Sequence, residues 1–325
     1  MSLHSAPAQP TGAPERKPVT LRTLRAMARD GRPFACVACY DATTARWVER
    51  GGVHCIIVGD SAAQVVLGLP STIHMPLEVA VALTAGVKRG APRTVVMADM
   101  PFMSYQCSEE QALRNAGRFM TEGLADIVKI EADASFGPLV ERMTRAGIPV
   151  CAHIGLRPQS AALDGGYLGK GRTAEEAERI ARDALALERA GASMLLVEAV
   201  PDALGARITG AAGVPVIGIG AGTACHGQVL VLQDLLGMTE RPPVFAEQMA
   251  QVGPMIQRVA SEWADRVARR IGGAHRYEMK PESPAGGTTG DVMHPGDQGD
   301  PRADRGDTRG DRGDRPRATA GPSSP

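Results

Sequence analysis

The chain has 325 residues, 43% apolar and 22% charged, the make-up of a globular protein large enough for one big domain or two small ones. Its formal net charge is zero and only 3% of its residues are aromatic. Neither bulk attraction to nucleic acid or an anionic membrane nor a base-stacking surface is therefore expected. No apolar run reaches the roughly 18–20 residues that would span a bilayer.

Residues 1–18 are rich in Pro and Ala without an apolar h-region, and are expected to form a flexible arm rather than a secretory signal. A run at 34–39 is the first strand candidate, followed by 53–58, 94–98, 127–130, 150–154, 194–197 and 214–219. A weaker eighth is expected at 244–246, after Arg241-Pro-Pro243. Helical patterns fill the intervals. Those at 108–122 and 173–190 open with the capping-box spacings Ser108-Glu-Glu-Gln111 and Thr173-Ala-Glu-Glu176. Such helices often close on glycine, here Gly123, Gly147 and Gly191. From 276 to 325 the chain is Gly, Pro, Asp and Arg with almost no apolar content. A disordered tail is expected, and its R-G-D triplets arise readily in such a composition.

Seven or eight βα units between 19 and 275 predict an α/β fold, a (β/α)8 TIM barrel. An open doubly wound sheet is the competitor, but Gly218-Ile-Gly-Ala-Gly222 lacks the glycine spacing of a dinucleotide site. Six cysteines scattered through apolar segments suit reduced thiols in a cytoplasmic protein. Cys36 and Cys39 are three apart in a strand and point to opposite faces, against a redox or zinc pair.

The feature that separates this chain from a generic barrel is the residue at the end of each strand. Tyr40-Asp41, Asp60-Ser61, Asp99, Lys129 with Glu131, His153 and Glu198 all fall at C-terminal strand edges. In a parallel barrel those edges converge on one mouth, where barrel active sites are built. A single acid there is more often a helix cap, whereas six strands in succession are harder to explain that way. Lys129 and Glu131 share one face, with Ile130 turned toward the helices. Carboxylate oxygens with a single His suit Mg²⁺ or a similar divalent ion better than zinc or iron. Such an ion can chelate a 2-oxo acid, while a further carboxylate removes a neighbouring proton and Lys and His balance the charge.

Val58-Gly-Asp-Ser61, Ala98-Asp-Met-Pro-Phe-Met103, Val128-Lys-Ile-Glu131 and His153-Ile-Gly-Leu-Arg-Pro-Gln-Ser160 resemble the ketopantoate hydroxymethyltransferase family. Gly165-Gly-Tyr167, Val197-Glu-Ala-Val-Pro201 and Pro215-Val-Ile-Gly-Ile-Gly-Ala-Gly222 do so too, in order, from about 20 to 267. The resemblance implies a barrel of the phosphoenolpyruvate/pyruvate superfamily and one-carbon transfer in pantothenate synthesis. It implies Mg²⁺ on Asp60 and Asp99, with Glu131 direct or through water. Ser61, Lys129 and His153 would bind the 2-oxo acid, with Tyr40 beside them. Glu198 would deprotonate the carbon next to the ketone, and the enolate would attack 5,10-methylenetetrahydrofolate. A homo-oligomer, commonly a decamer, is also implied.

The chain departs from the family pattern at Ala62-Ala63-Gln64, Ala132-Asp133, Leu83, His226 and Gln233. That altered ring is expected to govern substrate choice, with a paralogue forming or cleaving C–C bonds of another 2-oxo acid as the alternative. No Cys-containing acid loop of the related lyases is visible, Cys107 being the nearest candidate.

Overall fold

A computed structural model describes residues 17–273 and 277–279. The chain divides into residues 1–270 and 271–325. In the second part, the described residues carry neither helix nor strand. The arm expected over 1–18 and the tail expected over 276–325 lie outside the described residues, apart from 17–18 and 277–279.

Among the described residues, the first part contains eight strands: β1 (Phe34–Ala38), β2 (Cys55–Val58), β3 (Val95–Asp99), β4 (Ile127–Glu131), β5 (Val150–Gly155), β6 (Met194–Glu198), β7 (Val216–Ile219) and β8 (Gly227–Val231). All neighbours pair in parallel, and β8 returns to β1 with Phe34 opposite Gly227 and Ala38 opposite Val231. The sheet is therefore a closed barrel, and the open doubly wound alternative is excluded. Helices Ala42–Arg50, Leu77–Gly90, Glu109–Thr121, Gly137–Arg145, Ala174–Arg189 and Asp202–Ala211 form the outer layer.

Seven strands fall where the apolar runs predict, with ends shifted by a residue or two. The eighth does not. Residues 244–246 are irregular and Val244 is fully exposed. The true closing strand begins at Gly227, joined to β7 by residues 220–226 with no intervening helix. So short a connection lacks the helix that spaces the other strands, which is why the repeat of βα units does not point to it. Gly227 is required by close approach, since a Cβ there would come within 2.3 Å of the Phe34 ring.

The helices start where their caps predict. Ser108 accepts a hydrogen bond from Gln111 N at 3.2 Å, and Thr173 does the same from Glu176 N at 3.2 Å. The interior of the barrel is apolar at its N-terminal end. Phe34, Cys36, Cys55, Ile57, Val95, Met97, Ile127, Cys151, Met194, Leu196, Ile217 and Val229 form one buried cluster, closed off by Leu24 and Met27 of helix Leu21–Arg29. Cys39 belongs to a different cluster outside the strands, so the C-x-x-C pair is split across the sheet. All six cysteines are free thiols. No helix among the described residues is long and apolar enough to cross a membrane.

Candidate active site

Side chains alternate across a strand, so each inward row of the barrel continues from its floor toward its mouth. On β3 the row runs Val95, Met97, Asp99; on β4, Ile127, Lys129, Glu131; on β5, Cys151, His153; on β6, Met194, Leu196, Glu198. Ile130 packs outward into the helix layer. Register brings the polar ends level, with Asp99 opposite Lys129, Glu131 opposite His153, and Gly155 opposite Glu198.

These groups form one connected cluster. Lys129 Nζ lies 2.7 Å from Asp99 Oδ1 and 3.3 Å from His153 Nδ1. The other Asp99 oxygen accepts the backbone N–H of Asp60 at 3.1 Å. His153 Nε2 stands 3.2 Å from Glu198 Oε2, and its Nδ1 is 3.9 Å from Glu131 Oε1. Tyr40 and Ser61 share a hydroxyl–hydroxyl hydrogen bond of 2.8 Å at the ends of β1 and β2. Asp60, Asp99, Lys129, Glu131 and His153 are all buried, while the Glu198 side chain keeps 16% of its surface open at the mouth.

Glu198 is aimed by its neighbours. Gly155 adopts φ +87°, and a Cβ there would lie 2.4 Å from the Glu198 carbonyl, so only glycine lets β5 pass beside it. Ala199, next in the chain, sits at φ +48°, a left-handed conformation that costs an alanine about 1–2 kcal/mol. Two hydrogen bonds hold it, from Ala199 N to Ile219 O and from Lys170 N to Ala199 O, each 2.9 Å.

Burial dominates the electrostatics. It pushes the Asp99 carboxyl up to about 7 in spite of Lys129, with Asp60 adding to the rise. It pushes Glu131 well above the ordinary carboxylate range, again against Lys129. Burial and then the Lys129 charge lower His153, outweighing Glu198, so its imidazole is neutral at neutral pH. Burial opposes the Lys129 ammonium, but Asp99, Asp60 and Glu131 outweigh it and raise its pKa.

Among the described residues no three His, Cys, Asp or Glu side chains stand close enough to chelate an ion as placed. The donor chemistry nevertheless fits a hard divalent cation. Glu131 Oε1 is buried without a hydrogen bond, while Asp99 Oδ1 has the Lys129 ammonium as its close partner. The Asp60 charge adds to the rise at Asp99, and the Asp60 and Asp99 charges add to the rise at Glu131, against a single ammonium. Oxygen ligands in that charge imbalance suit Mg²⁺.

Two buried residues of the site carry no strand-end signal. Gln159, on the turn Pro158–Ser160, donates from Nε2 to Asp60 Oδ2 at 2.9 Å and to the Met100 carbonyl at 3.0 Å. Its backbone N–H donates to Glu131 Oε2 at 3.0 Å. Tyr105 OH donates to Gln159 Oε1 at 2.9 Å and accepts from Glu131 N at 3.1 Å. Gln159 stands inside a family-like segment, but nothing in its local pattern points inward. Asp41, by contrast, is a helix cap, accepting from Thr43 N and Thr44 N at 2.9 Å each.

The family model for ketopantoate hydroxymethyltransferase matches residues 18–271. The chain belongs to that family. It is 43% identical over 269 residues to the 3-methyl-2-oxobutanoate hydroxymethyltransferase of Heliobacterium modesticaldum, covering 82% of this chain and 98% of that one. It is 48% identical to that of Halorhodospira halophila, covering 72% and 85%. The chain is thus a transferase by family. Among solved structures, phosphonopyruvate hydrolase in complex with oxalate and Mg²⁺ superposes with a TM-score of 0.54 at 13% identity, covering 78% of this chain and 88% of that one. A 2,3-dimethylmalate lyase of the PEP mutase/isocitrate lyase superfamily gives 0.53 at 16%, covering 82% and 90%. These similarities show the barrel type alone.

The departures from the family pattern do not form one ring. Ala62 and Ala63 are fully buried in the outer core, and Gln64 turns out to reach the Pro70 carbonyl at 3.4 Å. Leu83 packs under the outer clusters. Ala132 is buried, while Asp133 caps the short helix Ala134–Phe136 and pairs with Arg157 at 2.8 Å. Gln233 lies on helix Leu232–Leu235, after β8. His226 is at the other end of the barrel, accepting the Val216 N–H at 3.1 Å where β7 begins. Its expected place beside the substrate is therefore corrected: the residue precedes its strand instead of ending it.

Proposed function

We propose that the mouth of this barrel carries out Mg²⁺-dependent hydroxymethyl transfer from 5,10-methylenetetrahydrofolate to 3-methyl-2-oxobutanoate, giving 2-dehydropantoate through an enolate. The observation that supports it most is the partly open Glu198 carboxylate poised beside neutral His153 and next to the buried Asp60, Asp99, Lys129 and Glu131 cluster. The names of the 42–48% identical relatives agree with it.

Asp60, Asp99 and Glu131 would hold the ion. When bound, Mg²⁺ supplies Lewis acidity to the oxygens of a 2-oxo acid. Ser61 and Tyr40 offer hydroxyls to the acid's carboxylate, and Tyr40 keeps its proton because burial pushes its pKa up. Lys129 places a fixed positive charge where negative charge develops on the acid's oxygens. Glu198 Oε2 takes the proton from C3, with His153 Nε2 standing 3.2 Å from it. The C3 carbon then bonds to the methylene carbon of the folate, whose two bonds to nitrogen break in turn. Water leaves its hydroxyl on that carbon, and the proton from Glu198 and the second water proton pass to the two nitrogens as tetrahydrofolate departs.

We also propose that the working form is a homo-oligomer in the cytosol. Helix Val252–Ala268 leaves Met255, Ile256, Val259, Trp263 and Val267 exposed along one stripe, a surface suited to a second copy of this chain. The free thiols suit a reducing compartment.

The test is exchange of the C3 proton of 3-methyl-2-oxobutanoate into deuterium oxide with Mg²⁺ present, followed by NMR with and without the folate. Exchange with hydroxymethyl transfer is the expected result. Absence of both exchange and acid binding would sink the enzymatic reading. Exchange without transfer would point to C–C bond formation or cleavage on a different 2-oxo acid.

A further inference from the structure

Gln159 is the most heavily bonded side chain at the mouth. It comes from the turn after β5, yet it contacts groups carried by β2, β3 and β4: Asp60 Oδ2, the Met100 carbonyl and Glu131 Oε2. Its amide is bonded on both sides. Two acceptors face its Nε2, and two donors face its Oε1, namely Tyr105 OH at 2.9 Å and Gln106 Nε2 at 3.1 Å. A flipped amide would set its oxygen against the Asp60 carboxylate and the Met100 carbonyl, neither of which can donate, so these two acceptors fix the orientation. The turn itself is tied down one residue earlier, where Arg157 pairs with Asp133 at 2.8 Å.

The consequence falls on two of the three proposed ion ligands. The side-chain amide holds Asp60 by one oxygen and the backbone amide holds Glu131 by one oxygen, so each carboxylate keeps its other oxygen for a further partner. In Glu131 that other oxygen is buried and makes no hydrogen bond. Neutral amide donors can fix carboxylates in this way without adding charge that would compete with a cation, which a lysine or arginine at the same place would do.

We infer that Gln159 is a positioning residue that presets Asp60 and Glu131 for a divalent cation, with Tyr105 and Gln106 locking its amide. The inference rests on the reading that these carboxylates hold the ion. It makes Gln159 a determinant of cation affinity that never touches the 2-oxo acid.

Mn²⁺ is the probe, its free concentration read by electron paramagnetic resonance on the full chain, with circular dichroism to count folded protein. Gln159→Met keeps the length and apolar bulk but removes both side-chain donors. It should weaken Mn²⁺ binding about 10- to 100-fold, the usual effect of losing a group that orients a metal ligand. Proton exchange should return toward the parent rate at saturating Mg²⁺, with the loss confined to the half-saturating metal concentration. Mn²⁺ affinity within twofold of the parent in Gln159→Met would overturn the inference, as would tighter binding. If Gln159→Met does not fold, Gln159→Asn decides, since its shorter amide falls short of Asp60 Oδ2: weaker Mn²⁺ binding supports the inference, and parental affinity overturns it. A parent protein that binds no Mn²⁺ would sink the ion reading together with this one. Parent binding that Asp99→Asn abolishes, with Gln159→Met unchanged, would sink this one alone.

Discussion

The floor and the mouth of the barrel are built from the same strands and differ only in which rung is read. At the floor, Met97, Ile127, Cys151 and Met194 fill the interior as members of one buried apolar cluster. One or two rungs higher, Asp99, Lys129, Glu131, His153 and Glu198 occupy the same inward rows. The floor holds the barrel closed through dispersion and burial, so the mouth can carry buried charge that would otherwise be destabilising. Stability and chemistry are thereby separated along one axis, as barrel enzymes generally arrange them.

The largest expected break in that division is at Glu198. Glu198→Gln should lower C3 proton exchange about 100- to 10,000-fold, the range for a lost general base, while Mn²⁺ binding and unfolding by urea stay near parental values. Retained exchange would remove Glu198 from the base role. The converse change is at the floor. Met97→Ala should cost about 2–5 kcal/mol in urea unfolding, with Mn²⁺ affinity of the folded protein unaltered. A floor variant that changed metal affinity would contradict the separation.

Acidity sharpens the contrast further. Asp99 ordinarily titrates near 3.8 and is raised to about 7 in the fold. A raised carboxyl favours the fold while protonated, so its contribution is full below its unfolded pKa and is lost as pH climbs through the folded one. Thermal stability of metal-free protein should therefore fall between about pH 4 and 7, with Glu131 adding in the same direction. His153, lowered by burial, opposes this only below its ordinary value of 6.5. Added Mg²⁺ should raise the melting temperature more at pH 8 than at pH 5, and Asp99→Asn should flatten the slope. Equal Mg²⁺ effects at both values would argue against ion binding by these acids. The smallest effect belongs to the rim: Tyr40→Phe removes one hydrogen bond to Ser61, about 0.5–1.5 kcal/mol of stability, with a modest rise in KM for the oxo acid.

The alternation of inward and outward side chains is a local property of an extended backbone, so the sequence alone determined seven strands, the facing of Lys129 and Glu131, and the convergence of Asp60, Asp99, His153 and Glu198. Helix starts at Ser108 and Thr173 were equally local, because a cap is decided within four residues. Tertiary structure decided the rest. The closing strand Gly227–Val231 is set by pairing with Phe34–Ala38, nearly the whole barrel away in sequence, and by room for the Phe34 ring. Gln159 and Tyr105 gain their roles from groups on other strands, and His226 takes its place at the far end of the barrel from its bond to Val216 on β7. A residue's neighbours along the chain give its face and its cap. Its hydrogen-bond partners at long range exist only once the barrel has closed.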